Sequence, residues 1–166
     1  MSLDREKFHK PVKILRKLLK KFPRRPLPEL VHRLRTHTRR LDAMLQGLML
    51  TSGRNERRLA EAIARLRKRA GKVRDMDVLA GFVCTLRVSG EDDCRIQLLE
   101  YLGAQRFRRA RELYNLVRVD GHEMQRRLKR CLKDMDRALE NRNVSTNAPS
   151  GIVADDSPFL TSRSRA

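Results

Sequence analysis

Between Val31 and Leu41 the chain reads Val-His-Arg-Leu-Arg-Thr-His-Thr-Arg-Arg-Leu, and only Glu29 and Asp42 stand near enough in sequence to pair with its arginines. A guanidinium presents a planar fork of N–H donors that takes phosphate oxygens two at a time. A run of largely uncompensated arginines is therefore chemistry for gripping phosphate. At about 100° per residue, His32, Arg35, Thr36 and Arg39 fall within one arc beside the apolar seam of a helix. A solvated charged face points straight out and mixes its signs, whereas a one-signed stripe at the core boundary suits a ligand laid between helices. Similar stripes recur at Arg65, Lys68 and Lys72, in Gly71-Lys-Val-Arg-Asp-Met-Asp-Val78, and at Arg106, Arg108, Arg109 and Arg111.

The same residues argue against a reaction. His32 and His37 are five apart, so they cannot form the i,i+4 pair that holds a metal on a helix. Asp75 and Asp77 are two apart and diverge by about 200°, which prevents convergence on one ion and suits orientation of neighbouring arginines instead. The sequence offers no glycine-rich phosphate loop with its lysine, no nucleophile–base pair and no acidic cluster for magnesium. No catalytic residue, metal or cofactor is expected, and the lone His9 and His122 are expected to be incidental.

The elements that must carry the stripes are helices, because apolar residues recur in steps of three and four and never alternate over a long stretch. The spacing predicts an all-α, antiparallel bundle of about four to six helices. The first runs from about Phe8 to Phe22 and ends at Pro23-Arg-Arg-Pro-Leu-Pro28; Pro28 then suits the first turn of the second, whose seam is Val31, Leu34, Thr38, Leu41, Leu45 and Leu48. After Thr51-Ser-Gly53 a third carries Leu59, Ile63, Leu66, Ala70 and Val73, and it either continues or breaks near Gly71 before Val78 to Val88. Ser89, with Glu91, Asp92 and Asp93, reads as the capped start of a helix through Ile96, Leu99, Leu102, Ala110, Leu113 and Val117. Asp120-Gly-His-Glu123 reads as the capping box of a last helix, through Met124, Leu128, Cys131, Met135 and Leu139. Met44, Met49 and Met135 are expected in the core. Residues 1–140 are thus expected to form the helical domain, and 141–166, polar and without periodicity, a disordered tail.

The chain has 166 residues, with 39 lysines and arginines against 20 acidic residues, a net charge of +19. A compact body with that charge repels itself and calls for an anionic partner. With no tryptophan, two tyrosines and five phenylalanines, it is poor in the aromatic platforms on which single-stranded nucleic acids stack. The tail contributes few charges, and they nearly cancel, so the excess belongs to the helices. Cys84, Cys94 and Cys131 show no paired spacing, and no apolar run approaches the roughly 18 residues of a spanning helix. A cytoplasmic protein without membrane association is expected.

The pairing of Val31-His32-x-x-Arg35-x-x-x-Arg39-Arg40-Leu41 with Gly71-x-x-Arg74-Asp75-x-Asp77-Val78 resembles the signature of the CHAD family, the conserved-histidine α-helical domains. Arg106-x-x-Arg109-Ala110-Arg111-x-Leu113 is similar to a later basic segment of the same family, so the resemblance spans roughly residues 10 to 140. It implies a helical bundle whose basic channel binds inorganic polyphosphate without catalysis, at polyphosphate granules or beside triphosphate-processing modules. On that reading the expected contacts are His32, Arg35, Arg39, Arg40, Lys72, Arg74, Arg106 and Arg109; the alternative partner is double-stranded nucleic acid, held through the same phosphate contacts. The family pattern carries two similar halves, and this sequence shows one Val-His-x-x-Arg and one Arg-Asp-x-Asp. It resembles a single half, and pairing about a two-fold axis would rebuild a pore between halves, so a homodimer is expected.

Overall fold

The computed structural model describes residues 5–47, 53–87 and 92–146. They form four helices and, among the described residues, no strand: α1 (Arg5–Lys20), α2 (Pro28–Gly47), α3 (Arg54–Thr85) and α4 (Asp92–Thr146). Each helix packs on its neighbour in sequence, and α1 closes the ring by packing on α4. The cross-helix pairs show the antiparallel sense: Asp42 with Arg67 and Arg35 with Gly71 between α2 and α3, Asp77 with Arg106 and Asn55 with Arg127 between α3 and α4.

The seams predicted from spacing are the ones that pack. Leu15 and Leu19 of α1, Leu34, Leu41 and Leu45 of α2, Leu59, Ile63 and Leu66 of α3, and Leu113, Leu128 and Met135 of α4 are all buried in one cluster. Met44 packs against it partly buried, and Met49 lies outside the described residues. Pro28 opens α2, and the Leu27 carbonyl accepts from the amides of Leu30 (3.0 Å) and Val31 (3.2 Å), so the proline supplies a fixed φ where no amide is needed. Pro11 lies buried inside α1, Phe22 is buried just beyond its end, and His9 donates to Asp136 of α4 at 2.7 Å. His9 is thus a tie between the first and last helices, not an incidental residue.

Two expectations about breaks are settled here. α3 runs unbroken through Gly71 to Thr85. The capping-box reading at Asp120 is overturned, since α4 is one helix of 55 residues. Its seam never loses phase: Ala110, Leu113, Val117, Gly121, Met124, Leu128, Cys131 and Met135 follow steps of three and four and all are buried. Asp120 faces Arg65 of α3 at 3.6 Å instead of capping a new helix. The Ser89–Glu91 part of the preceding cap, Leu48, and residues 147–166 of the expected tail lie outside the described residues, while residues 141–146 continue α4.

At about 1.5 Å per residue, α1 and α2 are about 24 and 30 Å long, α3 about 48 Å and α4 about 82 Å. The long pair therefore outruns the short pair. Beyond Val73 the only buried apolar residue of α3 is Val83, and before Ala110 the only one of α4 is Leu102. Residues 75–85 and 92–105 form a two-helix overhang on a four-helix body. At the opposite end Glu56, in the first turn of α3, meets Asp134 of α4. Burial works against the Glu56 charge, but hydrogen bonds from Asn55, its own amide and Asp134 hold its carboxyl below the usual range; Asp134 is raised by burial and by sharing its proton with Glu56. Burial, with these two carboxylates, pushes the Cys131 thiol up to about 12.

Candidate anion-binding groove

The basic stripe of α2 lies against α3, and what lets it do so is a missing side chain. Gly71 is buried at the contact, and a Cβ there would sit 2.5 Å from the Arg35 Nη1. The Arg35 guanidinium thus rests on bare helix backbone. Beneath the stripe, Thr38 is fully buried and donates its hydroxyl to the Arg35 carbonyl at 2.8 Å, which satisfies it without reaching outward. Beside it His37 is also buried; burial first, then the charges of Arg40, Arg33 and Lys10, lower its pKa from the ordinary imidazole value. A neutral imidazole therefore lies under the cationic surface.

Two shallow depressions flank this contact. One, of about 560 Å³, is lined by His32, Arg35, Thr36, Arg39, Arg40, Ala43 and Arg74. The other, of about 630 Å³, is lined by Arg35, Arg39, Ala64, Arg67, Lys68, Gly71, Lys72 and Asp75. Arg35 and Arg39 belong to both, so the depressions join into one groove along α2 and α3. Its lining holds seven cationic side chains and one carboxylate, Asp75. Arg67 is engaged by Asp42 at 2.5 Å. Arg35, Arg39, Arg40, Lys68, Lys72 and Arg74 form no ion pair among the described residues, which leaves six cations facing one open surface. By contrast, the depression between α3 and α4 lined by Arg58, Glu61, Arg65, Asp120, Glu123 and Arg127 is mixed in sign and internally paired.

This is the observation that a family comparison can be set against, and a family model described as CHAD domain matches residues 13–160. The chain belongs to the CHAD family. That family is associated with polyphosphate and triphosphate binding. Comparison with curated proteins and with solved structures gives no significant match. The CHAD match takes in the second half of α1 and all of α2, α3 and α4.

Of the eight residues expected from the CHAD resemblance, the fold gathers His32, Arg35, Arg39, Arg40, Lys72 and Arg74 in the groove. Arg106 and Arg109 line neither depression. Arg106 is a staple: its Nε donates to Asp77 Oδ1 at 2.5 Å and its Nη2 to the Pro26 carbonyl at 2.8 Å, tying α4 to α3 and to the α1–α2 linker. Asp77, whose other carboxylate oxygen is buried without a partner, is thus the orienter of an arginine that its spacing suggested. Arg109 faces Glu112 at 3.5 Å, and Arg69 of α3 bonds the same carboxylate. Arg67, Lys68 and Asp75 enter the groove without having been chosen as contacts. Sequence reading also missed a second basic depression of about 470 Å³ on α4 and the linker, lined by Arg24, Arg25, Arg111 and Arg118 with Phe107, Tyr114 and Asn115, in which Arg25 stacks 5.5 Å from the Phe107 ring centroid. Its signal was present as Phe107, Arg111, Tyr114 and Arg118, spaced four, three and four along one helix face.

Proposed function

We propose that the chain is a non-catalytic binder of inorganic polyphosphate, held along the α2–α3 groove. The observation that carries this reading is the one-signed lining, six unpaired cations against a single carboxylate. Guanidiniums of Arg35, Arg39, Arg40 and Arg74 would take phosphate oxygens bidentately, with Lys68 and Lys72 as point charges and His32 as an N–H donor at the rim. Gly71 supports the geometry by letting Arg35 lie flat on α3. No phenylalanine, tyrosine or tryptophan lines the groove, so it offers charge without a stacking platform for bases. That favours a bare phosphate polymer over a single-stranded nucleic acid, while duplex DNA, which would use the same phosphate contacts, is separated by competition. No helix among the described residues is long and apolar enough to cross a membrane, and the proposed setting is the cytoplasm, at polyphosphate granules.

Competition tests the ligand. Long-chain polyphosphate should displace bound duplex DNA at a far lower phosphate concentration than the DNA supplies, and DNA that resists displacement would make nucleic acid the partner. Thermal melting tests the site: a ligand that binds only the folded state stabilises it by about 2.7 kcal/mol at one hundred times its dissociation constant. Polyphosphate should raise the melting temperature of the unaltered chain, and the Arg35→Ala, Arg39→Ala, Arg74→Ala triple variant should lose most of that rise. An equal shift in both would remove the groove from consideration. Phosphorus NMR of polyphosphate incubated with the protein should show unchanged chain ends, as binding without reaction requires.

A further inference from the structure

The depression formed by α4 and the α1–α2 linker shares no residue with the α2–α3 groove and differs from it in kind. Its four cations, Arg24, Arg25, Arg111 and Arg118, form no ion pair among the described residues, and no carboxylate lines it. Unlike the groove, it also holds an open aromatic ring. Phe107 is 52% exposed, and the Arg25 guanidinium lies over it, 5.5 Å from the centroid. The linker is pinned on both sides of its arginines: Phe22 and Pro26 are buried, and Arg106 of α4 donates to the Pro26 carbonyl at 2.8 Å. Arg24 and Arg25 are thereby held beside the face of α4 that carries the other two cations. The volume of about 470 Å³ falls within the roughly 300–1,000 Å³ of small-ligand sites.

We propose that this depression binds a nucleoside di- or triphosphate, with the base on Phe107 and the phosphates among the four arginines. A bare phosphate chain needs only the cations, so the exposed ring selects a ligand that has both an anionic and a flat aromatic part. The count of rings decides between one nucleotide and a strand. Strand binders stack successive bases on several platforms, whereas Tyr114, the other ring here, packs partly buried against the core. Arg25 marks the place of the base, since a guanidinium is itself a flat, delocalised group that stacks on aromatic faces. At an exposed site a base–ring stack is the stronger contact of the two. The base therefore displaces Arg25, which turns to the phosphates. Arg111 and Arg118 lie four and eleven residues beyond Phe107 on α4, a rise of about 6 and 16.5 Å, so cations continue where the phosphates of a nucleotide seated on Phe107 would run. Asn115, between them, can donate its amide to a ribose or phosphate oxygen. None of this rests on the polyphosphate reading of the groove.

The chain has no tryptophan, so Phe107→Trp in the full chain places a single indole at the stacking position. Titration with ATP should quench its fluorescence, and inorganic tripolyphosphate, which has the phosphates and no base, should leave it nearly unchanged. Adding Arg111→Ala with Arg118→Ala should abolish the ATP quench, while adding Arg35→Ala, Arg39→Ala and Arg74→Ala should keep it. Calorimetry gives the size of the effect. In the chain with the three groove substitutions, where ATP has only this depression to bind, Phe107→Ala should weaken ATP by about five- to a hundredfold, the range of one lost base stack. Equal quenching by ATP and tripolyphosphate, or ATP affinity unchanged by Phe107→Ala, overturns the proposal by showing that the ring holds no base. A quench lost with the groove substitutions and kept with Arg111→Ala and Arg118→Ala overturns it too, because ATP would then lie in the groove.

Discussion

At the scale of single residues, the groove depends on one glycine and shelters one histidine. Gly71→Ala adds a methyl that meets only the far end of the Arg35 side chain, so the guanidinium moves and the helix keeps its form. Alanine is the better helix residue by roughly 0.5–1 kcal/mol. The variant should therefore melt at the same temperature or slightly higher, yet bind polyphosphate more weakly; unchanged affinity in a filter or calorimetric titration would show that Arg35 does not need its seat. His37 gives a pH signature. Its folded pKa lies below the unfolded value of 6.5, so the native state excludes a proton that the unfolded chain accepts. Stability is full above about pH 6.5 and falls as the pH drops below it. In denaturant titrations at a series of pH values, His37→Leu should lose this part of the slope, and an identical slope would assign it elsewhere. Helical spacing already separated His32 from His37, but not which of them the core would take. Nor could spacing reveal that Arg106 is held by Asp77, a carboxylate 29 positions earlier, because that pairing exists only once α3 and α4 lie side by side.

At the scale of elements, the long helices are where local signals and tertiary packing disagree. Asp120-Gly-His-Glu123 has the spacing of a capping box, and glycine is a common interruption, yet the helix runs through both. The apolar seam on either side keeps one phase, and burying it against α3 outweighs the propensity cost of Gly121. The prediction that separates the two readings is Gly121→Ala. A Cβ there meets Val117 at 3.5 Å, an ordinary contact, so the variant should gain up to about 1 kcal/mol in urea denaturation. A chain break at Asp120 would instead turn the substitution into a loss. Leu113, fully buried at the centre of α4, should cost about 2–5 kcal/mol when changed to alanine. Helix existence, the four seams and the Pro28 start were legible because period and proline chemistry act locally. Helix length relative to the neighbours was not: Ile96 continues the apolar pattern of α4 as well as Leu113 does, but α1 and α2 are too short to cover it.

At the scale of the whole molecule, charge was readable from the composition and its distribution only from the fold. The body repels itself, so moderate salt should stabilise the free protein by screening while weakening its hold on polyphosphate. Melting temperature rising as binding falls across a sodium chloride series is the expected pair of trends, and a melting temperature that falls with salt would show that ion pairs, not repulsion, dominate the free state. The α2–α3 groove was partly legible because its α2 stripe and Gly71-x-x-Arg74 motif each lie on one helix, whereas the linker-bound depression needed residues from distant parts of the chain. The overhang has one further consequence, for motion before contact. With its excess of lysine and arginine in the four-helix body and not in the overhang, the protein carries its charge off centre along α4, and the field around an anionic polymer exerts a torque on it. Each molecule is turned body-first while still diffusing, with the overhang trailing.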